Sequence, residues 1–155
     1  MGSEMCIRDS GVIAALQRAG ASTIQIANRT FEKAQTLAEC FDRTSAVGWG
    51  VREEALKSAS LLVNTTSLGM TGQPALDMDL TNLSAKAVVA DIVYTPLQTP
   101  LLKAAAAREL RTVDGLSMLM HQAVPGFTAW FSTQPVVDEG LRAILVEELM
   151  CRDPS

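Results

Sequence analysis

Apolar periodicity that switches repeatedly between helix and strand constrains this chain more than any other feature. "GVIAALQRAG" puts Val12, Ile13, Leu16 and Ala19 on one helical stripe, with Gly20 where a helix stop belongs. "STIQIAN" then alternates through Ile24 and Ile26 as a short strand. Thr30 can cap a following helix that runs through Lys33, Leu37 and Phe41, with Lys33 in its first turn. "SAVGW" reads as a short strand and "VREEALKSA" as a short helix with its acids in the first turn. "SLLVNTT" and "KAVVADIVY" are near-continuous apolar runs, as strands buried on both faces should be. "PLLKAAAAREL" is a strong helix and "RTVD" a last short strand. Long helices are then expected from near Gly115 to Phe131 and from near Pro135 to Met150.

Strands alternating with helices of about ten residues predict an α/β fold, with a doubly wound parallel sheet covered on both faces. Right-handed crossovers bring the carboxyl ends of such strands to one edge, where function belongs. Polar residues do follow the strands: Asn28-Arg29-Thr30, Asn64-Thr65-Thr66-Ser67, Asp91 to Thr95, and Asp114-Gly115. The 155 residues suffice for one domain with a real core, and 48% hydrophobic against 19% charged content argues against disorder. A net charge of −4 leaves no basic patch for nucleic acid. No Lys/Arg-rich face suggests a membrane surface, and no apolar run approaches the roughly 20 residues that span a bilayer. Cys6, Cys40 and Cys151 are odd in number and lack metal-ligand spacing. They read as buried or incidental thiols in a reducing cytoplasm, where the protein is expected.

"IANRTFEKA" carries the first chemistry. A dinucleotide-binding unit usually ends its second strand in an Asp or Glu, which accepts from the adenosine ribose and repels a 2′-phosphate. Here that position holds Asn28, followed by Arg29, Thr30 and, one turn on, Lys33. A guanidinium fork, a hydroxyl and an ammonium at a helix N-terminus suit a dianion, which favours NADP over NAD. Taken alone, the same residues read more readily as a helix cap with two solvated cations.

"NRTFEKA", "NTTSLGM", "DIVYTPLQTPLL" and "DGLSMLMHQAVPGFTAWF", in this order and spacing, resemble the C-terminal NADP-binding domain of shikimate dehydrogenase. The resemblance runs from Gly11 to about Leu149 and implies a Rossmann-like domain. It also implies a parent enzyme that reduces 3-dehydroshikimate to shikimate with NADPH, in aromatic amino-acid biosynthesis. By resemblance, Asn28, Arg29, Thr30 and Lys33 hold the adenosine 2′-phosphate, while Asn64 and Thr65 lie near the cofactor. Without that context the "NTTSLGM" stretch is equally a polar turn in which Gly69 supplies a positive φ. The backbone of Ile92 matches a contact to the nicotinamide half, and Gly115 and Met118 match further cofactor contacts. Tyr94 and Gln122 match substrate contacts, with Gln122 expected on the same side of its helix as Gly115. His121 is the sole histidine, but it points about 100° away from Gln122 and reads as a packing or surface residue. Phe127, Trp130 and Phe131 read as core or domain-contact aromatics. Ser117 stands where many relatives carry Gly.

The resemblance also says what these residues do not include. The family's proton-transferring Lys and Asp sit in an N-terminal substrate domain, and no "NVTxPxK"-like or "NTD"-like stretch occurs here. Nor does the first strand with its "GAGGA"-type turn, where backbone N–H groups hold the pyrophosphate. In the expected strand order 3-2-1-4-5-6, strand 1 is central, so its neighbours should lose their shared partner. Residues 1–10 read as a leader foreign to the unit, since "MCIRDS" resembles translated sequencing-adapter read-through. Either "EMCI" fills part of the gap, or, as we favour, the first helix extends backward through the leader. Residues 11–134 form the dinucleotide-binding domain and 135–155 a C-terminal helix and tail. The expectation is an enzyme fragment, inactive alone, that binds NADP. The alternatives are a non-catalytic dinucleotide-binding or interaction module, or a fragment of a quinate/shikimate dehydrogenase.

Overall fold

The computed structural model describes residues 3–152, with side chains from residue 9 onward except those of 150 and 152. Two compact units emerge: residues up to Ser60 with Met78–Ser84, and Leu61–Asp77 with Ala85 onward.

The first unit opens with helix α1, Ser3–Arg18, so the helix runs back through residues 3–10 as favoured above. It closes as the glycine signal requires. Gly20 takes φ +89°, its N–H donates to the Gln17 carbonyl, and that of Ala21 donates to the Leu16 carbonyl, both at 3.0 Å. Ile13 is the buried residue of the predicted stripe, whereas Ala19 is exposed. Strands β1, Ile24–Asn28, and β2, Thr44–Gly48, pair in parallel from Ile24 opposite Thr44 to Asn28 opposite Gly48. Helix α2, Phe31–Glu39, connects them and buries Ala34 and Leu37. Thr30 occupies the cap position of α2, but its hydroxyl makes no capping bond. The Asn28 side chain shapes the turn before α2 instead, accepting from the Thr30 N–H at 2.9 Å. Helix α3, Arg52–Ala55, is flanked by single 3-10 turns. Glu53 of α3 ties residues 78–84 to this unit. Its carboxylate accepts from the Asp79 N–H at 3.2 Å and its carbonyl from Asn82 Nδ2 at 3.1 Å, over buried Leu80 and Leu83.

The second unit holds a three-stranded parallel sheet in the order β3-β4-β5. Its strands are β3, Leu61–Asn64; β4, Val88–Asp91; and β5, Arg111–Val113. The periodicity suggested burial on both faces for both apolar runs. That holds best for β4, where Val89 is fully buried, while Leu61 is 37% exposed because β3 lies at the sheet edge. The crossover from β3 to β4, residues 65–87, consists of turns and carries no helix. Helix α4, Pro100–Ala107, buries Leu101, Leu102 and Ala105; Thr99 caps it and Pro100 supplies a preset first turn. Helix α5, Gly115–Phe131, matches the expected bounds and ends at Ser132 in a left-handed conformation, φ 52°. Helix α6, Glu139–Arg152, starts later than the expected Pro135 because Asp138 supplies the cap, its Oδ1 accepting from the Leu141 N–H at 2.9 Å.

Two expectations about side chains are narrowed. Of the two readings of Phe127, Trp130 and Phe131, core is ruled out: Trp130 is 81% exposed, and the rings of Phe127 and Phe131 meet at a tilt, 4.5 Å apart. They lie beyond Met120, the last buried residue of α5. Of the two readings of the cysteines, Cys40 and Cys151 take the incidental one, being free and exposed, and the Cys6 side chain lies outside the described residues. The sheets themselves follow the expected order. β1 pairs with β2 in the first unit, and β3 with β4 and β4 with β5 in the second, all in parallel. No helix among the described residues is long and apolar enough to cross a membrane.

Candidate functional site

In the first unit, the carboxyl end of β1 runs directly into α2. Asn28 is half-buried, paired through the strand ladder and committed to the turn by its bond from the Thr30 N–H. Arg29, Thr30 and Lys33 are exposed, and neither cation has an ion-pair partner among the described residues. Two unneutralised cations beside the N-terminal turn of a nine-residue helix make this a surface that favours an anion. No carboxylate stands at the end of β1; the nearest acid in sequence is Glu32, in the first turn of α2.

In the second unit, the ends of β3 and β4 are joined by a buried polar cluster. Asn64 is 3% exposed and fully used. Its Nδ2 donates to the Leu68 carbonyl at 3.1 Å and to Asp91 Oδ1 at 3.0 Å. Its Oδ1 accepts from the Thr66 N–H at 3.0 Å and the Thr66 hydroxyl at 2.7 Å. The Asn64 amide therefore shapes the loop after β3 and has nothing left to offer a ligand, whereas Thr65 in that loop is half-buried. Gly69 takes the expected positive φ, +89°. Asp91 accepts also from the Val93 N–H at 3.0 Å and, on Oδ2, from the Thr99 hydroxyl at 2.7 Å. Burial pushes the Asp91 carboxyl above its ordinary range, and the bonds from Thr99, Val93 and Asn64 pull the other way. Thr99 in turn accepts from the Leu102 N–H at 3.3 Å, linking the cluster to the start of α4.

Ile92 follows Asp91 and is buried, its N–H donating to the Asn64 carbonyl at 3.0 Å. Gly115, at the start of α5, packs onto the same backbone. A Cβ added there would stand 2.2 Å from the Ile92 carbonyl oxygen and 2.7 Å from that of Val93. Glycine is therefore needed for the close approach of α5 to the end of β4. Asn64, Ile92 and Gly115 are thus brought together. Tyr94 is 39% exposed just past them, and Met118 is half-buried one turn into α5. Gln122 is exposed, unlike buried Gly115, since only the first turns of α5 are covered. His121 is exposed as well and lines a shallow groove with Val124, Pro125 and Gln134.

Sequence reasoning passed over two participants. Thr99 carried a signal, a Thr-Pro pair opening a helix, which marks a cap. Arg142 carried none. It reaches from α6 to Asp114, the cap of α5, and Asp114 holds its guanidinium more firmly protonated than usual. No group of His, Cys, Asp and Glu among the described residues could hold a metal ion.

No protein-family model matches the chain. A shikimate dehydrogenase (NADP(+)) of Azorhizobium caulinodans is 56% identical over 138 residues, covering 88% of this chain and 49% of that protein. Quinate dehydrogenase of Corynebacterium glutamicum, solved in complex with NAD, aligns with a TM-score of 0.76 at 32% identity, over 82% of this chain and 47% of that one. Shikimate 5-dehydrogenase of Thermus thermophilus, solved with NADP(H) and shikimate, aligns at 0.70 and 34% identity, over 81% and 46%. The chain spans about half the length of the curated relatives it matches.

Proposed function

We propose that this chain, homologous over most of its length to shikimate dehydrogenase, is the NADP-binding portion of an enzyme that reduces 3-dehydroshikimate to shikimate. One observation carries the cofactor assignment: Arg29 and Lys33 stand unpaired beside the N-terminal turn of α2, with no acid at the end of β1. That donor set suits the 2′-phosphate of NADP and would leave an NAD ribose without its usual acceptor. Thr30, whose hydroxyl is not spent on capping, is free to join it. On the nicotinamide side we assign the Ile92 backbone, Gly115 and Met118. Thr65 belongs to the loop that Asn64 shapes. The fit fails at the pyrophosphate, because residues 3–10 are helix rather than a glycine-rich turn after a strand.

When bound, NADPH supplies the hydride. The residues of this chain bind and orient: Tyr94 and Gln122 are exposed polar groups suited to a polyhydroxylated substrate. The resemblance assigns proton transfer to a Lys and an Asp of a substrate domain, a role given to none of the residues assigned here, so we expect these 155 residues to bind NADPH without turning over shikimate.

The test is a titration of the purified chain with NADPH and NADH, followed by an assay for shikimate-dependent NADPH formation. We expect NADPH to bind about tenfold or more tightly than NADH, a difference of about 1.4 kcal/mol, and Arg29→Ala to remove most of that preference. A preference that survives the substitution sinks the 2′-phosphate assignment. Measurable turnover overturns the placement of proton transfer outside these residues.

A further inference from the structure

Arg142 belongs to none of the motifs above, yet it makes the densest polar contact between α5 and α6. Its Nη1 donates to Asp114 Oδ1 and to the Ser117 hydroxyl, both at 3.2 Å, and its Nη2 donates to Asp114 Oδ2. Asp114 is at the same time the cap of α5, accepting on Oδ1 from the N–H groups of Leu116 at 3.1 Å and Ser117 at 3.4 Å. One carboxylate therefore binds the first turn of α5 with one oxygen and a two-pronged guanidinium with both. The pair is only partly exposed, 25% for the Arg142 side chain and 15% for Asp114, so water screens it less than a surface pair.

The turn so held has no slack on its other side. Gly115 rests on the Ile92 and Val93 carbonyls with no room even for a methyl group, and its N–H donates to the Val93 carbonyl at 3.3 Å. A rotation of the first turn of α5 must either lift Gly115 off this backbone or push it in.

We infer that Arg142 is a positioning residue: through the Asp114 carboxylate and the Ser117 hydroxyl, α6 fixes the first turn of α5, and with it Gly115 and Met118, against the Ile92–Val93 backbone. On the function proposed above, α6 thereby sets how well the nicotinamide half of NADPH is held, without touching it. The adenosine half is assigned to Asn28, Arg29, Thr30 and Lys33, which are not among the bonding partners of Arg142 or Asp114.

Two measurements on the full chain test it, with Arg142→Ala and Arg142→Lys as variants. Amide exchange at Leu116 and Ser117, with no cofactor present, reads the latch itself. It should quicken about tenfold or more in Arg142→Ala and less in Arg142→Lys, which keeps the charge but loses the fork. Unchanged exchange in Arg142→Ala overturns the latch. Titration with NADPH and with 2′,5′-ADP, which carries only the adenosine half, reads the consequence. Arg142→Ala should weaken NADPH about fivefold or more and leave 2′,5′-ADP unchanged, with Arg142→Lys in between. Equal weakening of both ligands means general destabilisation and overturns the positioning role. Unchanged NADPH affinity overturns it too. Failure of the unsubstituted chain to bind either ligand refutes the proposed function instead, and with it the cofactor half of this inference, while the exchange data still decide the latch.

Discussion

Asp91 is a carboxyl group at 2% exposure with no cation against it among the described residues; burial raises its pKa, and three converging donors pull the other way. Those donors come from β3, from its own strand end and from the start of α4, so the carboxyl group fixes three elements at the edge where Ile92 and Tyr94 emerge. Its raised pKa has a definite sign in stability. Between the free value of 3.8 and the higher folded value, the folded chain holds a proton that the unfolded chain has released. Stability should therefore fall as pH rises through that window, by at most about 1.4 kcal/mol per pH unit, and become level above it. Asp91→Asn should remove this slope, which urea denaturation at a series of pH values upward from 3.8 would measure. Parallel pH profiles for the two proteins would contradict it.

At the level of elements, two threonines at helix starts look alike in sequence and differ in what they do. Thr99 caps α4 and donates to Asp91, whereas the Thr30 hydroxyl makes no capping bond to α2. Thr99→Ala should therefore cost about 1–2 kcal/mol, the loss of a working cap, and more if Asp91 is left short of a donor. Thr30→Ala should stay within about 0.5 kcal/mol of the parent in a denaturant titration, while weakening NADPH. A large stability loss at Thr30 would return that residue to a purely structural role. Such differences mark the limit of what periodicity conveys. The alternation of strands and helices, the bounds of α5 and the stop at Gly20 were all legible, because local propensity and cap chemistry decide them. The start of α6, the helix-free crossover of residues 65–87 and the exposure of Trp130 were not. An aromatic at helical spacing says that one face is apolar but not what covers it. The site divides in the same way. Asn28 to Lys33 is contiguous and readable, whereas the Asn64–Asp91 bond joins residues 27 apart and the Arg142–Asp114 pair residues 28 apart. No short pattern carries contacts of that span.

For the whole molecule, the consequence of two separate sheets is an uneven distribution of stability. In the second unit, β4 is paired on both sides, Val89 is fully buried, and Leu102 and Ala105 of α4 show no exposed surface. In the first unit, β1 and β2 pair only with each other, and none of their residues is buried. Amides open locally at a cost that follows such burial and pairing, so hydrogen exchange should be slowest in β4 and α4 and faster in β1 and β2. The proposed cofactor contacts of the first unit, Asn28 to Lys33, thus begin at the end of the less protected β1. That placement gives NADPH a measurable effect beyond its own contacts. A ligand that binds only the folded form stabilises it by about 2.7 kcal/mol at a hundred times its dissociation constant. If α2 and β1 hold the 2′-phosphate, this gain should appear there as exchange slowed about a hundredfold, with Arg29→Ala abolishing most of it. Slowing confined to the second unit would place the cofactor on the nicotinamide side alone and remove the basis for its NADP preference.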